Sequence, residues 1–303
     1  METIKLALDW TPNINHIGFF VARSKGFYAD AGIDVEITDP SIDNYELTPA
    51  KKVELWRADF ALCPTESIIS YRTKAAPFDL TAVAALFDDD MSAIVVKGDS
   101  DVQSPKDLDG KSYASYKARY EDQIVKQMVR NDGGQGNIQV VYPEKLGIWE
   151  TIVNNKYDAT WIFTNWEGVQ AKSMSVDLRM FKMEDFNVPY SYSPVLAASA
   201  EKIVEREGAY RNFLKATKQG FLYAKAHPEE AAEILKPLVA ASDRDIDIVK
   251  AIEVSAPAMG DDVSWGRMNE DVVKTFLEWI YRHKLEDQRL SVNQLMTNRL
   301  LES

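Results

Sequence analysis

Two short stretches concentrate the residue types from which a binding site is made. In "LDWTPNINHIGFF", residues 8–20, Asp9, Trp10, Asn13 and His16 fall where an apolar strand gives way to a helix. In "TNWEG", residues 164–168, Glu167 stands between Trp166 and Gly168 just past another apolar run. An ionised carboxylate accepts hydrogen bonds, and a protonated one also donates. A glutamate beside an aromatic ring therefore suits a flat heterocycle with an amidine-like edge, which would meet the acid in two parallel bonds. The plainer reading makes Glu167 a helix-start acid facing the helix dipole, and makes Asp9 and His16 a turn with a helix-start hydrogen bonder.

Aromatic residues gather at the other expected loops. Tyr113, Tyr116, Trp161, Tyr190 and Tyr192 fall at or just beyond strand ends, as Trp10 and Trp166 do. Together they would line a cleft, each stacked pair contributing about 0.5–1.5 kcal/mol beyond burial. A further polar loop, "PTES", brings Thr65 and Glu66 to the end of the strand "DFALC". The expected ligand-binding set is thus Asp9, Trp10, Asn13, His16, Thr65, Glu66, Tyr113, Tyr116, Trp166, Glu167 and Tyr190.

Enzyme signatures are missing. The chain has no GxSxG, no P-loop and no GxGxxG after a strand, and "DGGQGN" follows a helix, so it reads as a turn. Cys63, the sole cysteine, abuts Pro64 and reads as a buried structural thiol. His16, His227 and His283 lie far apart with no ligand spacing. The expectation is a binding protein with no catalytic residue, no metal and no cofactor.

The totals bound the partners. With 303 residues, 46% of them hydrophobic, the chain can bury the cores of two domains. A net charge of −12 disfavours nucleic acid and anionic membrane surfaces. No run approaches the ~18 apolar residues of a membrane span. The opening "METIKLALDW" lacks a basic region, an apolar core and a cleavage site, so the chain as written predicts a cytoplasmic protein. A trimmed mature chain, periplasmic or extracellular, would read the same way.

These residues need a scaffold. "IKLALDW", the helical "HIGFFVARSKGFYADAG" and "IDVEIT" read as strand, helix and strand in a right-handed βαβ unit, with Gly32 at the helix end. Strands are expected at "DFALC", "LTAVAALF", "SAIVVKG", "IQVVYP" and "DATWIF". Helices are expected at "TPAKKVELWRA", "TESIISYRTK" with Thr65 as N-cap, "EDQIVKQMVRN" and "LGIWETIVNNK", and Ser104 is expected to cap a helix at "SPKDLDG". From about residue 201 the pattern is mainly helical. A weak echo joins "VELWRADFALCPTES" to "ETIVNNKYDATWIFTNWEG", matching Asp59 with Asp158. Two similar α/β lobes follow, with a cleft beyond the strands' carboxyl ends. The expected division is 1–92 with 193–303 as lobe I and 93–192 as lobe II, with hinge crossings near 87–94 and 188–196.

The opening motif, "ADFALCPTESII", "SPKDLDGKSYA", "YDATWIFTNWEG" and "FLKATKQGFLYAKAHPEEAAEIL" together resemble the SsuA/thiamine-pyrimidine family over nearly the whole chain. That resemblance implies a two-lobed, type II periplasmic-binding-protein fold, each lobe a mixed, mostly parallel sheet flanked by helices. One branch binds thiamine-precursor pyrimidines, holding the ring between aromatics and its amino edge on an acid; by similarity Trp10, Asn13 and Glu167 take cleft positions. Another branch, the hydroxymethylpyrimidine phosphate synthases, uses pyridoxal phosphate on a lysine, consumes a histidine and holds iron near a cysteine-rich motif. Here "LCPTESII" stands for the lysine and histidine segment, and "YSYSPVLAAS" for the cysteine cluster. The synthase chemistry loses its residues; a third branch binds sulfonates or taurine. The implied partners are a small-molecule ligand and, if the chain is exported, an ABC importer permease.

Overall fold

The computed structural model describes residues 1–144 and 148–302. Among the described residues ten strands form two five-stranded mixed sheets: β1 (Glu2–Ala7), β2 (Ile33–Thr38), β3 (Phe60–Cys63), β4 (Leu80–Ala85), β5 (Ser92–Lys97), β6 (Ser112–Ala114), β7 (Gln139–Val141), β8 (Ala159–Phe163), β9 (Leu178–Phe181) and β10 (Val195–Ser199). The orders are β2-β1-β3-β10-β4 and β7-β6-β8-β5-β9. In the first sheet β1 pairs in parallel with β2 and β3, while β10 runs antiparallel to β3 and β4. The second repeats the plan, with β6 parallel to β7 and β8 and with β5 antiparallel to β8 and β9. Each antiparallel strand belongs to the chain newly arrived from the other sheet.

The echo between Asp59 and Asp158 has a physical basis. Each residue immediately precedes the third strand of its sheet, and its Oδ2 accepts a backbone N–H of the parallel neighbour at 2.8 Å, from Lys5 and Ser112 respectively. An N–H at the strand's edge is thereby satisfied in the same way in both sheets.

Apolar alternation forms β2, whose Ile33 and Val35 point inward between exposed Asp34 and Glu36. Strands β3, β4 and β10 are buried on both faces, as expected of sheets covered by helices on each side. The helix Ile17–Ser24 behind the first loop packs on the long helix Glu207–Ala226. Their approach requires glycine, because a Cβ on Gly220 would lie 2.0 Å from the Gly18 carbonyl oxygen.

Several elements are shorter than the sequence pattern suggests. Gly26, at φ 78°, divides the first helix into Ile17–Ser24 and Phe27–Asp30. Thr65 is not the N-cap of the helix Thr65–Thr73 but its first residue, and its hydroxyl donates to the Tyr192 carbonyl at 2.8 Å. At "SPKDL" the Asp107 carboxylate accepts the Ser104 N–H at 3.1 Å, and only one 3-10 turn, Pro105–Leu108, follows. The helix expected over 146–156 begins outside the described residues and is seen as Ile148–Val153. Strand β9 has no counterpart among the expected elements, and β10 begins within the segment read as a crossing. Among the described residues no helix is long and apolar enough to cross a membrane.

Candidate ligand-binding site

A cavity of about 140 Å³ lies between the two sheets. Asp9, Trp10, Asn13 and Asn15 line it from the loop after β1, and Tyr116 from the loop after β6. Trp161, Ile162, Phe163, Trp166 and Glu167 line it from the end of β8 and the turn beyond. All three approaches come from the carboxyl ends of parallel strands, where open α/β sheets bind ligands. The volume suits one small ring rather than a drug-sized molecule, whose pockets run to about 300–1,000 Å³.

The first loop is held by its own polar side chains. Asn13 has an extended backbone, and its Oδ1 accepts the Asn15 N–H at 2.9 Å. The His16 Nδ1 accepts the Asn13 N–H at 3.2 Å, which puts the ring proton on Nε2, 2.8 Å from the Asp9 Oδ1. His16 is fully buried and serves as a strut that aims Asp9.

Glu167 opens the helix Glu167–Ser173, and its Oε2 accepts the Phe163 N–H at 2.9 Å. Burial pushes its carboxyl up to about 7, against the pull of its own N–H and that of Phe163. It can therefore present either protonation state near neutral pH. Trp10 stands edge-on to Tyr116 at 5.9 Å and 82°, and to Tyr45 at 5.5 Å and 61°. Trp166, only 2% exposed, lines the cavity while packing into the core of the first sheet, and its Nε1 donates to Asp243 at 3.3 Å. Just before it, Asn165 donates through Nδ2 to Asn15 at 3.0 Å and to Ser255 at 2.9 Å. Both contacts tie the second sheet's loop to the first sheet's side.

Of the expected residues, the structure brings Asp9, Trp10, Asn13, Tyr116, Trp166 and Glu167 to one cavity. The others lie elsewhere. His16 sits behind Asp9, and Thr65 is engaged with Tyr192. The Tyr113 hydroxyl is buried against Glu121 at 2.8 Å. Glu66 is buried, its carboxyl pushed up to about 8 by desolvation and by Glu121, against a hydrogen bond with Tyr190. Tyr190 backs Trp161 at 5.1 Å and 62°, one ring removed from the cavity. Asn15, Ile162 and Phe163 were not singled out by sequence reasoning. The polar spacing of the first loop could have found Asn15, whereas Ile162 and Phe163 look like ordinary strand residues. Trp161 stood among the strand-end aromatics, and it joins the lining from the end of β8.

The family described as NMT1/THI5 like matches residues 13–231. The formylaminopyrimidine-binding protein of Halalkalibacterium halodurans is 28% identical over 239 residues, covering 78% of this chain and 70% of that protein. The 4-amino-5-hydroxymethyl-2-methylpyrimidine phosphate synthase of Legionella pneumophila is 22% identical over 305 residues, covering 98% and 92%. The crystal structure of the periplasmic aliphatic sulphonate binding protein SsuA from Escherichia coli superposes with a TM-score of 0.72 at 15% identity, over 97% of each chain. That likeness identifies the two-lobed fold.

Proposed function

The chain belongs to the NMT1/THI5 like family, and from that premise we propose that it binds a thiamine-precursor aminopyrimidine, or a similar small heterocycle, without transforming it. The observation that carries this reading is the placement of the Glu167 carboxylate in a small cavity walled by Trp10, Tyr116 and Trp166. An aminopyrimidine offers an amino group and, once protonated, a ring N–H on one edge. Glu167 can accept both, and the aromatic rings can take the faces. Asp9, Trp10, Asn13, Tyr116, Trp166 and Glu167 are the proposed contacts; His16 supports Asp9 from behind, and Thr65, Glu66, Tyr113 and Tyr190 stand outside the contact set.

The proposed motion is closure of lobe I (1–92 and 193–303) on lobe II (93–192) about crossings near 87–94 and 188–196. A ligand favours the closed form by touching residues of both lobes at once. Among the described residues no lysine or arginine lines the cavity, and two carboxylates do, which disfavours a sulfonate. The synthase reading is disfavoured because "LCPTESII" offers neither lysine nor histidine and the chain has a single cysteine. The expectation of a cytoplasmic protein gains no support from solute-binding relatives. An exported protein that delivers its ligand to an ABC importer permease agrees better with a neighbour named as periplasmic.

Intrinsic tryptophan fluorescence tests the reading. A saturable change with 4-amino-5-hydroxymethyl-2-methylpyrimidine and none with taurine supports it, whereas a response to taurine alone overturns it. Visible absorbance from pyridoxal phosphate retained by the purified protein would overturn its non-enzymatic part.

A further inference from the structure

A second cavity, of about 390 Å³, lies at the two crossings rather than between the lobes' strand ends. Asp88, Asp89 and Asp90 of the first crossing line it, with Glu184 and Asp271 from other segments. Lys182 is the one cation among the described lining residues, and its ammonium already lies 3.6 Å from Glu184. The cavity is therefore left with a surplus of negative charge.

An independent feature marks the same wall. Ser191, 2% exposed, lines the cavity, and its hydroxyl is buried without a hydrogen-bond partner among the described residues. A buried hydroxyl left unpaired is costly, so a ligand that supplies a donor there gains what the protein lacks. The half-buried Pro189 adds an apolar stretch to the lining.

We propose that this cavity binds a linear aliphatic diammonium cation. Each ammonium carries three donors and no acceptor, which matches carboxylates and a serine oxygen. An alkane spacer would lie against Pro189 while its two ends meet acids on separate segments. A metal ion fits less well, since among the described residues no three histidine, cysteine or carboxylate groups converge closely enough to hold one. The Asp90 Oδ1 already accepts the N–H and the hydroxyl of Ser92, at 3.0 and 2.6 Å, and burial pushes its carboxyl up to about 7. A bound ammonium would hold that carboxyl in its charged form.

Calorimetric titration of the full chain with diaminobutane, in salt of about 0.15 M to screen loose surface binding, tests the proposal without any pyrimidine present. The expected result is saturable one-site binding, weakened about tenfold or more in the Asp88→Asn/Asp89→Asn variant and weakened also in Ser191→Ala. Asp88 and Asp89 are exposed, and unchanged circular dichroism would verify that the variants fold. Butylamine should bind at least about tenfold more weakly than the diamine. Absence of saturable heat, equal binding of the monoamine, equal displacement by magnesium ions, or unchanged affinity in both folded variants would each overturn the assignment.

Discussion

The Asn165 Nδ2 donates to the Asn15 Oδ1 at 3.0 Å, joining the turn after β8 to the loop after β1. Both side chains are buried, at 0% and 1% exposure, so under the proposed closure the bond belongs to the closed form. Asn165→Ala leaves the Asn15 amide oxygen unpaired in the closed form, a cost of about 1–3 kcal/mol that an open, hydrated form avoids. The ligand-free variant should show a larger radius of gyration by small-angle scattering and a roughly tenfold or greater loss of ligand affinity. A wild-type radius and affinity would show that this bond does not govern closure.

Acid–base linkage gives a second expectation. The Glu66 carboxyl rises from 4.5 to about 8 on burial, and that of Glu167 to about 7. A raised carboxyl stabilises the fold fully below its unfolded value and loses that contribution as pH rises through the folded value. Glu54, Glu207 and Glu230, all lowered by lysine, arginine or tyrosine partners, act oppositely, and only as pH falls below the ordinary value. The melting temperature of the ligand-free protein should therefore fall between about pH 5 and pH 8. Glu66→Gln should flatten that fall, because it replaces the protonated acid with a neutral side chain of the same shape. An unchanged slope in the folded variant would remove Glu66 from the account.

Glu167→Gln separates ligand recognition from helix capping. The amide oxygen can still accept the Phe163 N–H that now reaches Oε2 at 2.9 Å, so the local fold should persist. What is lost is the charge and half the acceptor edge offered to an aminopyrimidine. Affinity should drop by about 1–3 kcal/mol, and the drop should be read by calorimetry at fixed pH. Undiminished binding would reduce Glu167 to a residue that caps the end of β8.

The elements legible in the sequence were those with a short-range signal. Alternation exposed β2, continuous apolar runs exposed β4 and β8, and the paired aspartates exposed the repeat of one plan in two sheets. Strand β10 was harder to see because its place is decided by chain crossing: Val195 pairs with Cys63 on one side and Ala85 on the other. The first helix looked continuous because Gly26 is tolerated in a helical pattern until its positive φ is known. At the site, Asp9, Trp10 and Glu167 were legible as chemistry at strand ends. Tyr113 carried the same signal but turns inward, since alternation in β6 aims it at the core where Glu121 satisfies its hydroxyl.

Trp10 is the aromatic wall best suited to mutation, being half-exposed where Trp166 is built into the core. Trp10→Ala should weaken a planar ligand by about 0.5–1.5 kcal/mol beyond the lost burial, and a non-planar ligand of equal size by less. Competition binding with such a pair reads the difference directly. Equal losses would mean that Trp10 supplies area without stacking.

The most direct test of the account is isothermal titration of the wild-type chain with 4-amino-5-hydroxymethyl-2-methylpyrimidine, alongside its formylated amino analogue and taurine. The account predicts one saturable site for at least one of the two pyrimidines and no heat of binding with taurine. Saturation by taurine with no binding of either pyrimidine would contradict it.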